Sequence, residues 1–264
     1  MGSRMDCTNW KFGQVSINFL VIAIAYKGIA LPIAWVNLDK EGNSKTSERK
    51  SILERILKLI PSQRIDEFAA DREFIGEEWF ISLLKHGINP VIRIKRNSVI
   101  SHRGKTAPGW VFFNNLRDKD VGQLTQAKVM GIRVFVIGTL TPEGELLLVV
   151  TVKRPSQALR IYAQRWNIET LFGVFKTRRF NLEDTHITDV KRSERLFALL
   201  VLTLVWAVRV GEFASSLRPS EIKNHGYAQW SLFRRGLDYL RQILFVESSD
   251  GLVMDDVVTL LSSS

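Results

Sequence analysis

Four residues between positions 161 and 176 have the types and spacing to set a hydroxyl, a carboxylate and two cations side by side. In IYAQRWNIETLFGVFK, the residues Tyr162, Arg165, Glu169 and Lys176 stand three, four and seven apart, intervals that keep side chains on one stripe of a helix. That stripe carries one aromatic hydroxyl, one carboxylate and two cations. Carboxylates are hard oxygen ligands that suit Mg²⁺, and two such ions can hold both the attacking and the leaving oxygen of a phosphodiester. Two further acids stand where carboxylate chemistry would need them: Asp6 at the start of a β-rich region, and Asp71 after a short apolar run. Asp66, Glu67 and Glu73 compete for the second place, and spacing does not choose among them. Each acid also has an ordinary role open to it: Asp6 capping a turn, Asp71 opening a helix, Glu169 pairing with Arg165.

The same segment says how the four would be held. Ile161, Ile168, Phe172 and Phe175 fall on one apolar stripe at about 100° per residue, which predicts a helix over 161–176. The polar stripe lies roughly 70° round from it, at the edge of the buried face.

The remaining elements must build the layer against which this helix packs. Ile17–Tyr26 and Ile29–Leu38, joined by Lys27-Gly28, predict a β-hairpin, with Pro32 moving the second strand toward an edge. A helix follows, with Ser44 or Thr46 as N-cap, Ile52, Leu53, Ile56, Leu57 and Ile60 inward, and Pro61 at its end. A second helix from about Glu77 to His86 turns Trp79, Phe80, Leu83 and Leu84 inward. Pro90–Lys95 alternates apolar and basic residues, as a half-exposed strand does. From Arg96 to Lys153 the helical periodicity disappears, and β segments are expected at Trp110–Phe113, Ile132–Thr139 and Leu146–Lys153, with a hairpin turn at 142–145. The expected organisation is a mixed α/β layer over residues 1–95, a β-rich insertion over 96–155, a second α/β part with C-terminal helices over 156–245, and a tail from 246 to 264.

Composition narrows the partners. The 264 residues carry a net charge of +10, an excess that favours a polyanion such as nucleic acid. A single cysteine, Cys7, excludes a disulfide framework and a Cys-based zinc site, and four scattered histidines lack metal-ligand spacing. The longest apolar run, Leu196–Val208, has about 13 residues, against roughly 20 for a bilayer span. It reads as part of a buried helix from Glu194 to about Leu217, and no membrane partner is expected. A cytoplasmic setting fits the cysteine usage.

The blocks DCTNWKFG, GNSKTSER, ADREFIG, YAQRWNIETLFGVFK and SLFRRGLDYLRQIL together resemble bacterial insertion-sequence transposases of the DDE type, in the IS-four group recognised by Tyr, two residues, Arg, three residues, Glu, six residues, Lys. Tyr162, Arg165, Glu169 and Lys176 match that pattern at every position, and the resemblance runs from Asp6 to about Phe245. It implies a ribonuclease H-like mixed sheet flanked by helices, with a β-rich insertion between the second and third acids. It also chooses the acids: Asp6, Asp71 and Glu169 would bind two Mg²⁺ ions, for which Mn²⁺ can substitute. Tyr162, Arg165 and Lys176 would hold phosphates, and Trp110 would stack on an extruded base unless it serves the core. Arg93, Lys95, Arg96, Lys153, Arg154, Arg178 and Arg179 would add sequence-independent attraction to DNA. The implied partners are double-stranded DNA, as transposon ends and target, and a second copy of the chain on that DNA.

Two departures from the family pattern are visible. Cys7 stands where relatives carry arginine after the first aspartate. Only five residues precede Asp6, and Met1-Gly2-Ser3-Arg4-Met5 reads as a poor apolar strand. The expectation is an N-terminally truncated catalytic core without its end-recognition region. An inactive DNA-binding or inhibitory remnant, or a generic ribonuclease H-like nuclease, are the competing readings.

Overall fold

The computed structural model describes residues 2–12, 15–219, 221, 228–245 and 257–259. Strands β1 (Gly2–Phe12), β2 (Val15–Tyr26) and β3 (Ile29–Asn37) form an antiparallel meander. The Lys27-Gly28 turn has positive φ at both residues, the geometry a two-residue hairpin requires. Pro32 lies on β3 at the sheet edge, beside a register shift at Ile22/Ala23; there the missing N–H interrupts no interior ladder.

Helix α1 (Thr46–Leu57) leads to β4 (Glu67–Ala70), then α2 (Glu77–Lys85) and β5 (Asn89–Ile94). The N-cap of α1 is Lys45, not Ser44 or Thr46; Ser44 is drawn away because its hydroxyl accepts from Arg49 Nε at 2.8 Å. β4 runs parallel to β1 and to β5. The chain continues through β6 (Val99–His102), β7 (Lys105–Pro108), the helical turn α3 (Gly109–Phe112), β8 (Val121–Val129), β9 (Ile132–Leu140) and β10 (Leu146–Thr151). Among the described residues the strands join in one ten-stranded sheet of order β3-β2-β1-β4-β5-β10-β9-β8-β6-β7.

Two expectations in this region are overturned. Pro90–Lys95 is not a half-exposed strand: β10 pairs with its free side and buries it between two neighbours. Trp110–Phe113 is a helical turn rather than a strand. Its Phe113 lies so close over Gly122 and Gly138 that a Cβ at Gly138 would meet the ring at 2.5 Å. Phe113 takes the core place, and Trp110 is left 44% exposed.

Alternation along the central strands assigns the two faces. Met5, Phe68, Ala70, Ile92, Ile94, Leu148 and Val150 point into the core under α1 and α2, where Ile52, Leu53, Ile56, Trp79, Phe80 and Leu83 meet them. Trp79 packs edge-on against Phe68 at 5.4 Å between ring centroids. The intervening Ala69, Val91 and Val149 face the other way, against helix α4 (Ala158–Ala163). Helix α5 (Trp166–Gly173) continues over β1 and β3 on that same face.

Residues 2–5 form a full part of β1 despite their composition. The strands on both sides satisfy their backbone groups, and a paired ladder outweighs weak propensity. The cost falls on Arg4, which is fully buried. Its Nη1 donates to Ser3 O at 2.8 Å and its Nη2 to Gln164 Oε1 at 2.5 Å, while Nε has no acceptor. Burial, opposed by Glu67, lowers its pKa to about 10. Arg4→Met would strand the Ser3 O and Gln164 Oε1 acceptors, and a buried acceptor left without its donor costs about 1–3 kcal/mol. Arg4→Met is therefore expected to lower the melting temperature, a result that thermal melts of the two proteins will check.

The chain falls into two compact units, residues 1–190 and 191–264; residues 96–155 lie within the first. The second contains helix α6 (Val190–Leu217) and helix α7 (Leu232–Phe245). α6 extends far past the apolar run at 196–208, and by length and composition it is long and apolar enough to cross a membrane. Core helices pass the same test; here Phe197, Leu204, Ala207, Val208, Val210 and Ala214 are buried, while Leu199, Leu202 and Leu217 are exposed. Of the tail 246–264, all but Val257–Thr259 lies outside the described residues.

Candidate active site

The period of two along a strand places the first two acids. Arg4 and Asp6 alternate with Met5, so both point to the α4–α5 face of the sheet. Asp71 follows Ala70 and points the same way. Met5 pairs with Ala70 across the parallel β1–β4 ladder, so Asp6 and Asp71 are next in line on strands about 4.8 Å apart. Ala70 in turn pairs with Ile92, which sets Arg93 beside Asp71.

The third acid arrives on a helix that is not continuous. Residues 161–176 divide into α4, a break at Gln164-Arg165, α5, and a π-helical turn at Val174–Arg178. At the break, Arg165 N–H donates to Tyr162 O at 2.9 Å and Ile168 N–H to Arg165 O at 3.0 Å. These three-residue bonds tighten the turn. No Pro stands there to announce it; Gln164, held by Arg4, marks the place. The apolar stripe survives the break, with Ile161, Ile168, Phe172 and Phe175 all buried.

Across that break one network gathers all three acids. Arg165, 6% exposed, donates Nη1 to Asp6 Oδ2 at 3.1 Å and Nη2 to Glu169 Oε1 at 2.6 Å. Tyr162 donates its hydroxyl to Asp71 Oδ1 at 3.2 Å, and its ring centroid lies 5.6 Å from the Arg165 guanidinium. Asp6 Oδ1 also accepts from Cys7 N at 2.9 Å, and Asp71 Oδ1 from Arg72 N at 2.7 Å. Lys176 joins differently, donating Nζ to Asn9 O on β1. The side chain of Arg178 lies outside the described residues.

Cys7 does not open a gap in this arrangement. Its side chain packs on the opposite face, with the α1 core, where burial pushes the thiol up to about 12. The cation beside Asp6 is Arg165.

Trp110 is no part of the Tyr162–Arg165 network, but two residues of its cleft, Arg72 and Arg93, adjoin Asp71. It lines a cleft of about 510 Å³ together with Arg72, Arg93, Lys95 and Arg96. Two residues of this region escaped the sequence reading. Trp166, 65% exposed, follows Arg165 directly; an exposed aromatic among apolar neighbours has no periodic signature. Arg49 is buried, donates Nη2 to Ser44 O at 2.6 Å and to Glu73 O at 2.9 Å, and lies 4.7 Å from the Phe74 ring. It pins the turn 72–74 directly after Asp71, which accounts for the GNSKTSER block in physical terms.

Electrostatics follow from crowding acids in a dry place. Burial first, then Glu73 and Glu169, raise the Asp6 pKa to about 7 against the pull of Arg165 and the Cys7 N–H. Glu73 is raised as well, by burial and by Asp71, with Arg49 opposing. Burial alone would lower Arg165, but Tyr162, Asp6 and Glu169 hold its pKa above the ordinary value. An unfolded Asp loses its proton near about 3.9, so between there and pH 7 the folded chain binds more protons than the unfolded one. The stability that Asp6 contributes is present below the unfolded pKa and is lost as pH rises through about 7. The metal-free protein should melt at lower temperature at pH 8 than at pH 6, and Asp6→Asn should flatten that difference.

The donor set fits hard divalent ions: three carboxylates, with no thiol or imidazole among them. Among the described residues, no three His, Cys, Asp or Glu side chains stand close enough to hold an ion as they are. The Arg165 guanidinium bridges Asp6 and Glu169 instead.

A mixed sheet ordered β3-β2-β1-β4-β5, with acids on β1, just after β4 and on a covering helix, defines a ribonuclease H-like domain. The chain belongs to the transposase DDE domain family, which matches residues 8–206. That range includes Asp71, Tyr162, Arg165, Glu169 and Lys176, and begins two residues after Asp6. A comparison with curated proteins finds no match. Among solved structures, the piggyBac transposase in a synaptic complex with hairpin DNA is similar at a TM-score of 0.50 and 9% identity. That match covers 100% of this chain and 58% of the piggyBac chain, and it agrees with the fold. A simian T-cell lymphotropic virus intasome, in complex with the PP2A regulatory subunit B56 gamma, matches at a TM-score of 0.31 and 9% identity, over 58% of this chain and 77% of that one. A likeness that slight carries no weight here.

Proposed function

We propose that the chain is the catalytic core of a bacterial insertion-sequence transposase, cleaving and joining phosphodiesters at transposon ends with divalent metal ions. The observation that carries this reading is the single network through Tyr162 and Arg165 that gathers Asp6, Asp71 and Glu169 from distant parts of the sequence. Those acids would hold two Mg²⁺ or Mn²⁺ ions, which supply Lewis-acid stabilisation and a nucleophile activated at neutral pH.

The chain's own residues supply the rest. Arg165 and Lys176 offer cations to phosphate oxygens beside the acids, and Tyr162 adds a hydroxyl donor. Arg72, Arg93, Lys95 and Arg96 line a cleft with Trp110 and outnumber Glu143 and Glu145 in its wall, an excess of cations suited to a phosphate backbone beside a stacked base. Trp166, next to Arg165 in the chain, offers a second exposed ring. The piggyBac relative was captured on hairpin DNA, which supports double-stranded DNA as partner, both ends and target. Work on paired ends makes a homodimer on DNA, in the bacterial cytoplasm, part of the same proposal.

The test is a strand-cleavage assay on duplexes carrying the ends of the chain's own element. Nicking with Mg²⁺ or Mn²⁺ that EDTA abolishes is the expected result. Salt-sensitive binding without cleavage under any divalent ion would overturn it in favour of a DNA-binding remnant.

A further inference from the structure

We propose that Arg165 is the resident counter-ion of the acidic site, and that metal and DNA binding are coupled through its transfer from Asp6 and Glu169 to a phosphate. This rests on the metal-dependent reading above and goes beyond it.

Three observations carry the inference. The guanidinium spans two of the three acids, with one nitrogen on Asp6 and another on Glu169. It is buried, and its Nε has no acceptor, so its bonding is incomplete. The three acids are not gathered closely enough to hold an ion while the guanidinium lies between two of them.

Arginine cannot discharge by losing its proton. A divalent ion added beside it would meet a fixed positive charge in a poorly solvated place. Asp6 and Glu169 can therefore accept an ion fully only when Arg165 releases them. Release into solvent alone would give up two charge-assisted hydrogen bonds, each about twice as strong as a neutral one. A phosphodiester in the site changes this balance, because its oxygens match the Arg fork and accept it in two bonds. The Tyr162 ring, 5.6 Å from the guanidinium, keeps the side chain near both positions. The free enzyme thus keeps its acids neutralised, and the arrival of DNA frees them for metal. Linkage requires the same coupling in reverse, with metal tightening DNA by the same factor.

The experiment is Mn²⁺ titration, read by calorimetry or by the spin resonance of free Mn²⁺, with and without a short duplex of arbitrary sequence. Binding by the duplex alone is subtracted. Wild-type protein is expected to bind Mn²⁺ about tenfold more tightly with duplex present, and duplex about tenfold more tightly with Mn²⁺, a coupling near 1.4 kcal/mol. Arg165→Gln should bind Mn²⁺ without DNA about as tightly as wild type does with it, and the duplex should then add little. Arg165→Lys, which keeps the charge without the fork, should fall between the two and serves if the Gln variant does not fold. Equal wild-type affinities with and without duplex, or weaker Mn²⁺ binding by Arg165→Gln without DNA, would overturn the exchange alone. Failure of wild type to bind Mn²⁺ under any condition would overturn the metal-dependent function as well.

Discussion

Glu169→Gln is expected to reduce DNA cleavage at least about a thousandfold, ~4 kcal/mol of transition-state stabilisation, with little change in stability. The two effects separate because Glu169 has unequal structural and chemical roles. Structurally it makes an i,i+4 ion pair with Arg165 from a side chain that is 35% exposed, and the buried guanidinium keeps its bond to Asp6 when Glu169 changes. Gln keeps the length and an oxygen acceptor for Arg165. Chemically, the substitution removes one of the three charges on which divalent ions depend, and an amide oxygen replaces that charge poorly. A single-turnover cleavage assay beside a thermal melt checks both halves. Retained cleavage would show that Glu169 is only the ion-pair partner of Arg165, the ordinary role that spacing alone allowed.

Gly236→Ala should have the larger effect on stability, about 3 kcal/mol or more. α6 and α7 approach so closely that a Cβ at Gly236 would lie 1.7 Å from Ala207 O, and one at Gly211 would lie 1.9 Å from Leu232 O. Overpacking costs typically 1–3 kcal/mol when side chains can shift. Here the obstacle is backbone, so no rotamer change relieves it and the helices must part. At about 2–4 °C per kcal/mol for a chain of this size, calorimetry should show a clear loss in melting temperature. Gly211→Ala should behave alike. If Gly236→Ala melts like wild type, the close crossing of α6 and α7 is wrong. The prediction also explains why glycine stands inside the block SLFRRGLDYLRQIL, where helix propensity disfavours it by about 1 kcal/mol.

Much of this was legible beforehand. The hairpin of β2 and β3 follows from two β-rich runs around Lys27-Gly28, and α1 and α2 follow from apolar periodicity, because both signals are local. The spacing of Tyr162, Arg165 and Glu169 brought them into one network although the helix breaks at Gln164, whereas Lys176 falls in the π-helical turn and reaches Asn9 on β1. That break was not legible, because its partner is Arg4, 160 residues away. The turn at Trp110 was misread because apolar aromatic runs fit a strand or a turn equally, and glycines on β8 and β9 decided between them.

By itself, the sequence determined which residue types could meet a phosphodiester and on which local stripe they would stand, since helix and strand periods act over a few residues. Family likeness named Asp6 and Asp71 as the partners of Glu169, which periodicity could not do. Only the tertiary structure decided that the unpromising residues 2–5 extend β1, that the β1–β4 register sets Asp6 next to Asp71, and that Cys7 faces away. It also decided what Arg165 does. Ladder pairing is satisfied between strands distant in sequence, and a buried guanidinium goes to the carboxylates that packing places around it. Neither can be computed from spacing along one segment.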